Sequence, residues 1–376
     1  MAKKRINLAL QGGGAHGAYT WGVLDRLLEE EDFIIEGISG TSAGAMNAAM
    51  LVNGYMQGDR QGAKDMLHKF WWRVSEAALL SPLHKSPLER MLTGWNMDVS
   101  PMYQWFDMLS RVFSPYELNP LDINPMRQIL EDLLDPELVQ ACSMIKLFIT
   151  ATHVSSGQPR VFECHEINTE VLLASACIPF VFQAVEIDGE HYWDGGYMGN
   201  PAIWPLIYYC QSEDVLLVQI NPIHSETLPK SAHDIINRLN EISFNSSLIA
   251  EMRAIDFVSK LIAQDKLERG RYKALRVHLI YAREEMHRLN ASSKMNADWD
   301  FFLFLKELGR QQAETWLKTD WKHVGQKSTI DIHEKFLTGP GRKSWQGMPS
   351  RKQESVTKKP AVKKPAVKQR SGAKPK

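Results

Sequence analysis

Ser42 stands in Gly40-Thr41-Ser42-Ala43-Gly44, a GxSxG pattern lying behind an apolar run and ahead of a stretch rich in small residues. Between a strand and a helix, this pattern makes a nucleophile elbow. Small flanking residues permit a sharp turn that exposes the serine oxygen, and the N–H of Ala43 can face the oxygen of a carbonyl under attack. A serine hydroxyl is a weak nucleophile until a neighbouring base takes its proton, so the pattern requires a partner. None of the 12 histidines sits in a recognisable loop motif downstream. Asp194-Gly195-Gly196, within HYWDGGYMGNP, offers a carboxylate after a short strand, although the same segment also reads as an ordinary Asp-Gly hairpin turn. A third stretch, Gly12-Gly13-Gly14-Ala15-His16-Gly17, joins a strand to a helix. Glycines there let the backbone approach a ligand closely, and the N–H groups of the helix start favour a negative charge.

The third stretch also satisfies GxGxxG through Gly12, Gly14 and Gly17. A nicotinamide-binding fold would usually place an acidic residue at the end of the second strand to hold the ribose. GTSAG occupies that place and Glu36 lies inside the strand, which argues against a dinucleotide. The four cysteines, Cys142, Cys164, Cys177 and Cys210, form no CxxC pair and read as reduced, buried thiols. Cys164, His165 and Glu166 are adjacent, but neighbours on a strand point to opposite faces, so no metal is expected.

The elements that must position these residues follow from periodicity. A strand at 6–10 leads through the glycine loop into a helix with Ala18, Trp21, Leu24 and Leu28 on one face and Asp25, Arg26 and Glu29 towards water. A second strand at 33–38 runs into GTSAG and a further helix. Strand, helix, strand, helix in the first sixty residues predicts an α/β protein with a mostly parallel sheet. Later strands are expected at 144–152, 160–162, 214–220 and 274–282, and helices at 169–176, 232–264 and 297–324.

Residues 66–135 differ in texture, mixing short helical patterns with prolines and aromatics such as Trp71, Trp72, Trp95, Trp105 and Phe106. They read as a helical insertion on the sheet. The aromatics are either the core of a small helical subdomain, which is the favoured reading, or part of a lid or lipid-facing rim.

The net charge of zero hides an asymmetry. From Arg342 to Lys376 there are 12 Lys and Arg against the single Glu354, while the remainder carries 32 basic and 43 acidic residues. The segment KKPAVKKPAVK repeats a Lys-Lys-Pro-Ala-Val unit; prolines at that spacing forbid a continuous helix and the lysines repel one another. Residues 338–376 are therefore expected to be a disordered basic tail behind a folded body at 1–337. The basic start and the apolar 6–10 are too short for a secretion signal. Residues 37–58 carry no charge but are interrupted by glycines and by Ser39, Thr41, Asn47 and Asn53, which suits a buried helix better than a membrane span. Cytoplasmic residence is the expectation, with peripheral attachment at a membrane or granule.

Together the three motifs resemble the patatin-like phospholipases, over roughly residues 5–225. The resemblance implies a three-layer α/β fold and a serine and aspartate dyad without histidine. It makes Ser42 the nucleophile and Asp194 the base. Gly12, Gly13 and Gly14 fall on the oxyanion loop, with the N–H of Ala43 beside them, and Gly17, Gly40, Gly44, Gly195 and Gly196 support the motifs. ASACIPFVFQAVEIDGEHYWDGGYMGNP is similar to the family's approach to its aspartate. His16 departs from the family, which often carries Arg or Lys there; a surface histidine and a functional one remain open.

The implied reaction is hydrolysis of a lipid acyl ester, of the phospholipase A or lysophospholipase type, through an acyl-serine and with no cofactor. A carboxylate with a reference pKa of about 3.9 needs a dry pocket to serve as its base. The alternative is a catalytically idle patatin-like scaffold that the tail delivers to DNA, membrane or storage granule. The partners the tail's charge would attract are an anionic membrane surface, a granule or nucleic acid.

Overall fold

The protein is described by a computed structural model covering residues 3–338 apart from 80, 82–84, 86–88, 90–93, 99, 226–227 and 269. β1 (Lys4–Leu10) passes through the glycine loop into α1 (Gly17–Leu27), and β2 (Phe33–Thr41) turns at Ser42 into α2 (Ala43–Leu79). α3 (Pro101–Val112) and α4 (Pro125–Leu133) precede β3 (Lys146–His153) and β4 (Pro159–Glu163). α5 (Thr169–Ser175), β5 (Val185–Ile187), β6 (Glu190–Asp194) and α6 (Trp204–Tyr209) follow. The chain continues through β7 (Asp214–Val218), α7 (Ala232–Ala263), β8 (Arg276–Ile280) and α8 (Trp299–Thr319), with short helical turns between the elements.

The sheet runs β5-β6-β3-β2-β1-β7-β8, with β4 also on β3. Pairings from β3 through β2, β1 and β7 to β8 are parallel, whereas β4, β5 and β6 join antiparallel. The expected mostly parallel α/β sheet is what forms. β1 and β7 read as continuous apolar runs because helices cover both faces. α1 packs against α8, burying Tyr19, Trp21, Leu24, Phe301 and Phe302. Each such apolar side chain stabilises the fold by about 1.5–3 kcal/mol.

Strand β1 has β2 on one side and β7 on the other, so the chain reverses its direction of winding at β1. Ligands of open α/β sheets bind at the carboxyl ends of strands beside such a point. The glycine loop and Ser42 both lie there.

The structure refines several sequence expectations. The uncharged run 37–58 divides between β2 and the first arm of α2, and among the described residues no helix is long and apolar enough to cross a membrane. α2 breaks at Gly58–Asp59, and its second arm sets Met66, Leu67, Phe70 and Trp71 into the main core. The aromatics of 66–135 therefore do not form one subdomain core. Trp71 packs edge-on to Phe302 at 4.9 Å and Trp95 stacks on Phe301 at 5.2 Å, because α8 supplies their partners. Trp72 and Trp105 are exposed. The Asp-Gly hairpin of this protein is Asp188–Gly189, where both residues take positive φ (54° and 81°) between β5 and β6; it is not Asp194–Gly195. Cys164, His165 and Glu166 form a 3-10 turn rather than a strand, and the Cys164 thiol donates to the Val139 carbonyl. All four cysteines are free; Cys164 is only partly buried, and burial raises the thiols of Cys164 and Cys210 to about 11. The described residues up to Leu337 belong to one compact unit. The repeat-bearing basic segment lies outside the described residues.

Candidate active site

Two strand registers bring Ser42 and Asp194 towards each other. Thr41, the last residue of β2, pairs with Thr150 on β3, and the next β3 residue, Ala151, pairs with Asp194 at the end of β6. Ser42 follows Thr41 directly and takes a left-handed φ of 54°, a sparsely populated conformation for a residue with a side chain. A strained serine on a strand-to-helix turn is the geometry of a nucleophile elbow. The turn is closed tightly: a Cβ on Gly44 would lie 2.2 Å from the Leu10 carbonyl oxygen, which only glycine avoids, and Gly40 abuts Gly44 itself. The Ser42 N–H donates to Ser175 Oγ at 2.9 Å, and Ser175 Oγ donates to the Thr150 carbonyl at 2.7 Å.

Asp194 caps a short 3-10 turn, Gly195–Tyr197, with Oδ1 accepting the Gly196 N–H at 2.7 Å. Its own N–H donates to the Cys177 carbonyl, and its carbonyl accepts the Thr152 hydroxyl. The carboxylate is almost fully buried, and Oδ2 has no well-formed hydrogen bond. Burial raises its pKa to about 7; the Gly196 N–H and the nearby Ser42 hydroxyl pull in the opposite direction and offset only part of the rise. A carboxyl group half ionised near neutrality is matched to general-base work. Gly195 packs over Thr150, and Gly196 lies under the Phe244 ring.

The glycine loop faces the same turn. The position of a Cβ on Gly12 would be 2.7 Å from Ser42 Cβ. Gly12 is nevertheless not available as a donor, because its N–H is held by Asn200 Oδ1 at 2.7 Å and its carbonyl by Asn221 Nδ2 at 2.6 Å. The N–H groups of Gly13, Gly14 and Ala43 have no hydrogen-bond partner among the described residues. Gly14 takes a φ of 58°, and a Cβ there would lie 2.5 Å from the Lys294 carbonyl oxygen, so no other residue fits without displacement. Gly17 starts α1 against Ala43 and Trp71.

The residues that hold this loop were not apparent from the motifs. Gln11 Oε1 accepts the N–H groups of both Ile220 and Asn221, and Gln11 Nε2 reaches Asn245 Oδ1 at 3.1 Å. Nothing in the local pattern of Gln11 announces a contact some 210 residues away; Asn200 at least stands beside the DGG motif. Glu36, the only acid available to a dinucleotide ribose, instead accepts the backbone N–H groups of Gln211 and Ser212.

His16 is buried, not on the surface. Ser293 Oγ donates to the Asn290 carbonyl at 2.7 Å, so His16 Nε2 must donate to Ser293 Oγ, also at 2.7 Å. Burial, and then the charge of Lys294, hold the imidazole well below its ordinary pKa, leaving it neutral and unable to attract an anion at pH 7. Among the described residues no group of three or more metal-ligating side chains occurs.

Beside Asp194 opens a largely apolar cavity of about 670 Å³. Its lining includes Thr152, Trp193 and Tyr197, neighbours of Asp194 along the chain or across the β3–β6 pairing, together with Val112, Phe113 and Phe180.

Residues 8–207 match the family model described as Patatin-like phospholipase. Among solved structures, the chain is similar to VipD from Legionella pneumophila, at 15% identity and a TM-score of 0.38, over 89% of this chain and 73% of that one. It is also similar to ExoU in the ExoU-SpcU complex of the type III secretion system of Pseudomonas aeruginosa, at 16% identity and a TM-score of 0.35, over 89% of this chain but only 58% of that one. No curated protein matches the chain.

Proposed function

The chain belongs to the patatin-like phospholipase family, and from that premise we propose that it hydrolyses acyl esters of phospholipids or lysophospholipids through a Ser42–Asp194 dyad. Family membership supports a lipid hydrolase of the phospholipase type. The observation that carries the finer reading is the buried Asp194 carboxyl, raised to about 7 and still influenced by the Ser42 hydroxyl on a left-handed turn.

In this mechanism Asp194 accepts the Ser42 proton as Oγ attacks the ester carbonyl. The N–H groups of Gly13, Gly14 and Ala43 receive the charge that develops on the carbonyl oxygen, while Gly12 shapes the loop without donating. The leaving alcohol departs with the proton returned by Asp194, giving an acyl-serine. Water then attacks the acyl-serine, losing its proton to Asp194, and the fatty acid leaves as Ser42 recovers its hydrogen. The apolar cavity beside Asp194 would hold an acyl chain, while the burial of the carboxylate supplies the dry surroundings that its raised pKa requires.

The test combines a fluorophosphonate probe with product analysis by mass spectrometry across lipid classes. Labelling at Ser42 and release of fatty acid from glycerophospholipids are the expected results. An unlabelled Ser42 and no acyl release from any class would sink the proposal.

A further inference from the structure

We propose that the protein docks on lipid surfaces through two exposed apolar stripes, one on α3, which runs into the lining of the cavity beside Asp194, and one on the first turns of α7. The choice of lipid as occupant rests on the reading of the site as a lipid hydrolase.

α3 is the first stripe. Of its twelve residues only Tyr103 is buried. At 100° per residue, Met102, Trp105, Met108, Leu109 and Val112 fall within an arc of about 120°. Met102, Trp105, Met108 and Val112 are 45, 56, 48 and 70% exposed. An amphipathic helix with its apolar face turned to water needs a cover. The polar flank carries its own closed ion pair, Arg111 with Asp107, so the stripe is not interrupted by an unpaired charge.

The second stripe is on α7, whose Phe244 meets Tyr197 of the cavity lining. Ile235, Leu239 and Ile242 stand on one side of α7 and are 43, 56 and 51% exposed. This part of α7 is fixed to the catalytic region: Phe244 packs on Tyr197 with ring centres 4.8 Å apart and covers Gly196, and Asn245 bonds to Gln11.

What selects a lipid surface is continuity with the cavity. Val112 ends the α3 stripe and also lines the cavity, as do the exposed Phe113, Tyr116 and Phe180. An acyl chain leaving a bilayer can therefore pass from stripe to cavity along apolar side chains without crossing water. Trp105 and Tyr116 are residue types that favour the headgroup boundary, where one end of the ring is apolar and the other wet.

The experiment uses the full chain with Ser42→Ala, so that lipid is not consumed, and flotation with vesicles of phosphatidylcholine alone, which carry no net charge to attract the basic tail. The comparison variants are Met102→Glu/Trp105→Glu/Met108→Glu and Leu239→Glu/Ile242→Glu, none of which touches the cavity; Gln versions serve if a Glu variant unfolds. Flotation of the parent, with at least a tenfold loss of bound fraction in either variant at unchanged thermal midpoint, is expected. In the Ser42 background the same variants should cut hydrolysis on vesicles at least tenfold while a water-soluble short-chain ester is cleaved as before. No flotation of the parent overturns the proposal, as does flotation unaltered by the substitutions, or light scattering that shows the stripes joining two copies instead. A protein that floats as expected but cleaves no ester would overturn the hydrolase reading and leave the docking intact.

Discussion

Ser175 Oγ sits 2.9 Å from the backbone nitrogen of Ser42 and hands its own hydrogen to Thr150, so one small hydroxyl ties the strained turn to the neighbouring strand. Removing it takes the acceptor from the buried Ser42 N–H, at a cost of about 1–3 kcal/mol, and one donor from the Thr150 carbonyl. Ser175→Ala should lower the thermal midpoint by several degrees and reduce kcat more than it raises KM, because the turn relaxes without the substrate cavity changing. A lowered midpoint with unchanged kcat would show that Ser175 serves the fold alone.

Replacing the proposed nucleophile and base separates chemistry from folding. Ser42→Ala and Asp194→Asn should each reduce ester hydrolysis by about 10³ or more, the scale of losing an activated nucleophile or its base. Asp194→Asn keeps the Oδ1 acceptor for Gly196, so circular dichroism should be unchanged. Retention of most activity in Asp194→Asn, with loss on replacing one histidine, would establish a triad instead.

The raised carboxyl predicts the pH behaviour of both rate and stability. As a base Asp194 must be ionised, so kcat/KM should rise about tenfold per pH unit below about 7 and level above it. For stability the sign is opposite. Between about pH 4 and pH 7 the folded state holds a proton that the unfolded state has released, so unfolding free energy falls as pH rises through that window. The full shift of Asp194 corresponds to on the order of 4 kcal/mol. Glu251, raised to about 7 by burial while it accepts the Ile203 and Trp204 N–H groups, acts in the same direction. Denaturant melts from pH 4 to pH 8 should show this decline, and Asp194→Asn should flatten part of it.

Gly14→Ala tests the oxyanion loop. The new methyl would meet the Lys294 carbonyl in a conformation that costs a side chain about 1–2 kcal/mol in any case. Displacing the loop should lower kcat by about 10² while fluorophosphonate labelling slows in parallel. An active, normally stable Gly14→Ala protein would remove this loop from the mechanism.

How far the molecule could be read in advance depends on the range of the contacts involved. The alternation of strands and helices is a local pattern, and β1, β2, β3 and β7 begin within two residues of expectation. Gly12 to Gly14, Ser42 and Asp194 are visible because each sits in a short glycine-marked motif. The Asp188–Gly189 hairpin escaped notice because a second Asp-Gly pair six residues later competed for the same interpretation. The burial of His16 is not legible locally because its partner, Ser293, is 277 positions away. The division of the aromatics between core and surface depended on α8, which no pattern within 66–135 announces.

The clasp of Gln11 and Gly12 by Asn200 and Asn221 has a consequence for biosynthesis. A ribosome that has delivered the first sixty residues has delivered both the glycine run and the serine, yet the side chains that give the run its shape are still some 140 to 160 residues from being made. The loop of the proposed site should therefore stay unformed on the emerging chain until β7 has docked beside β1.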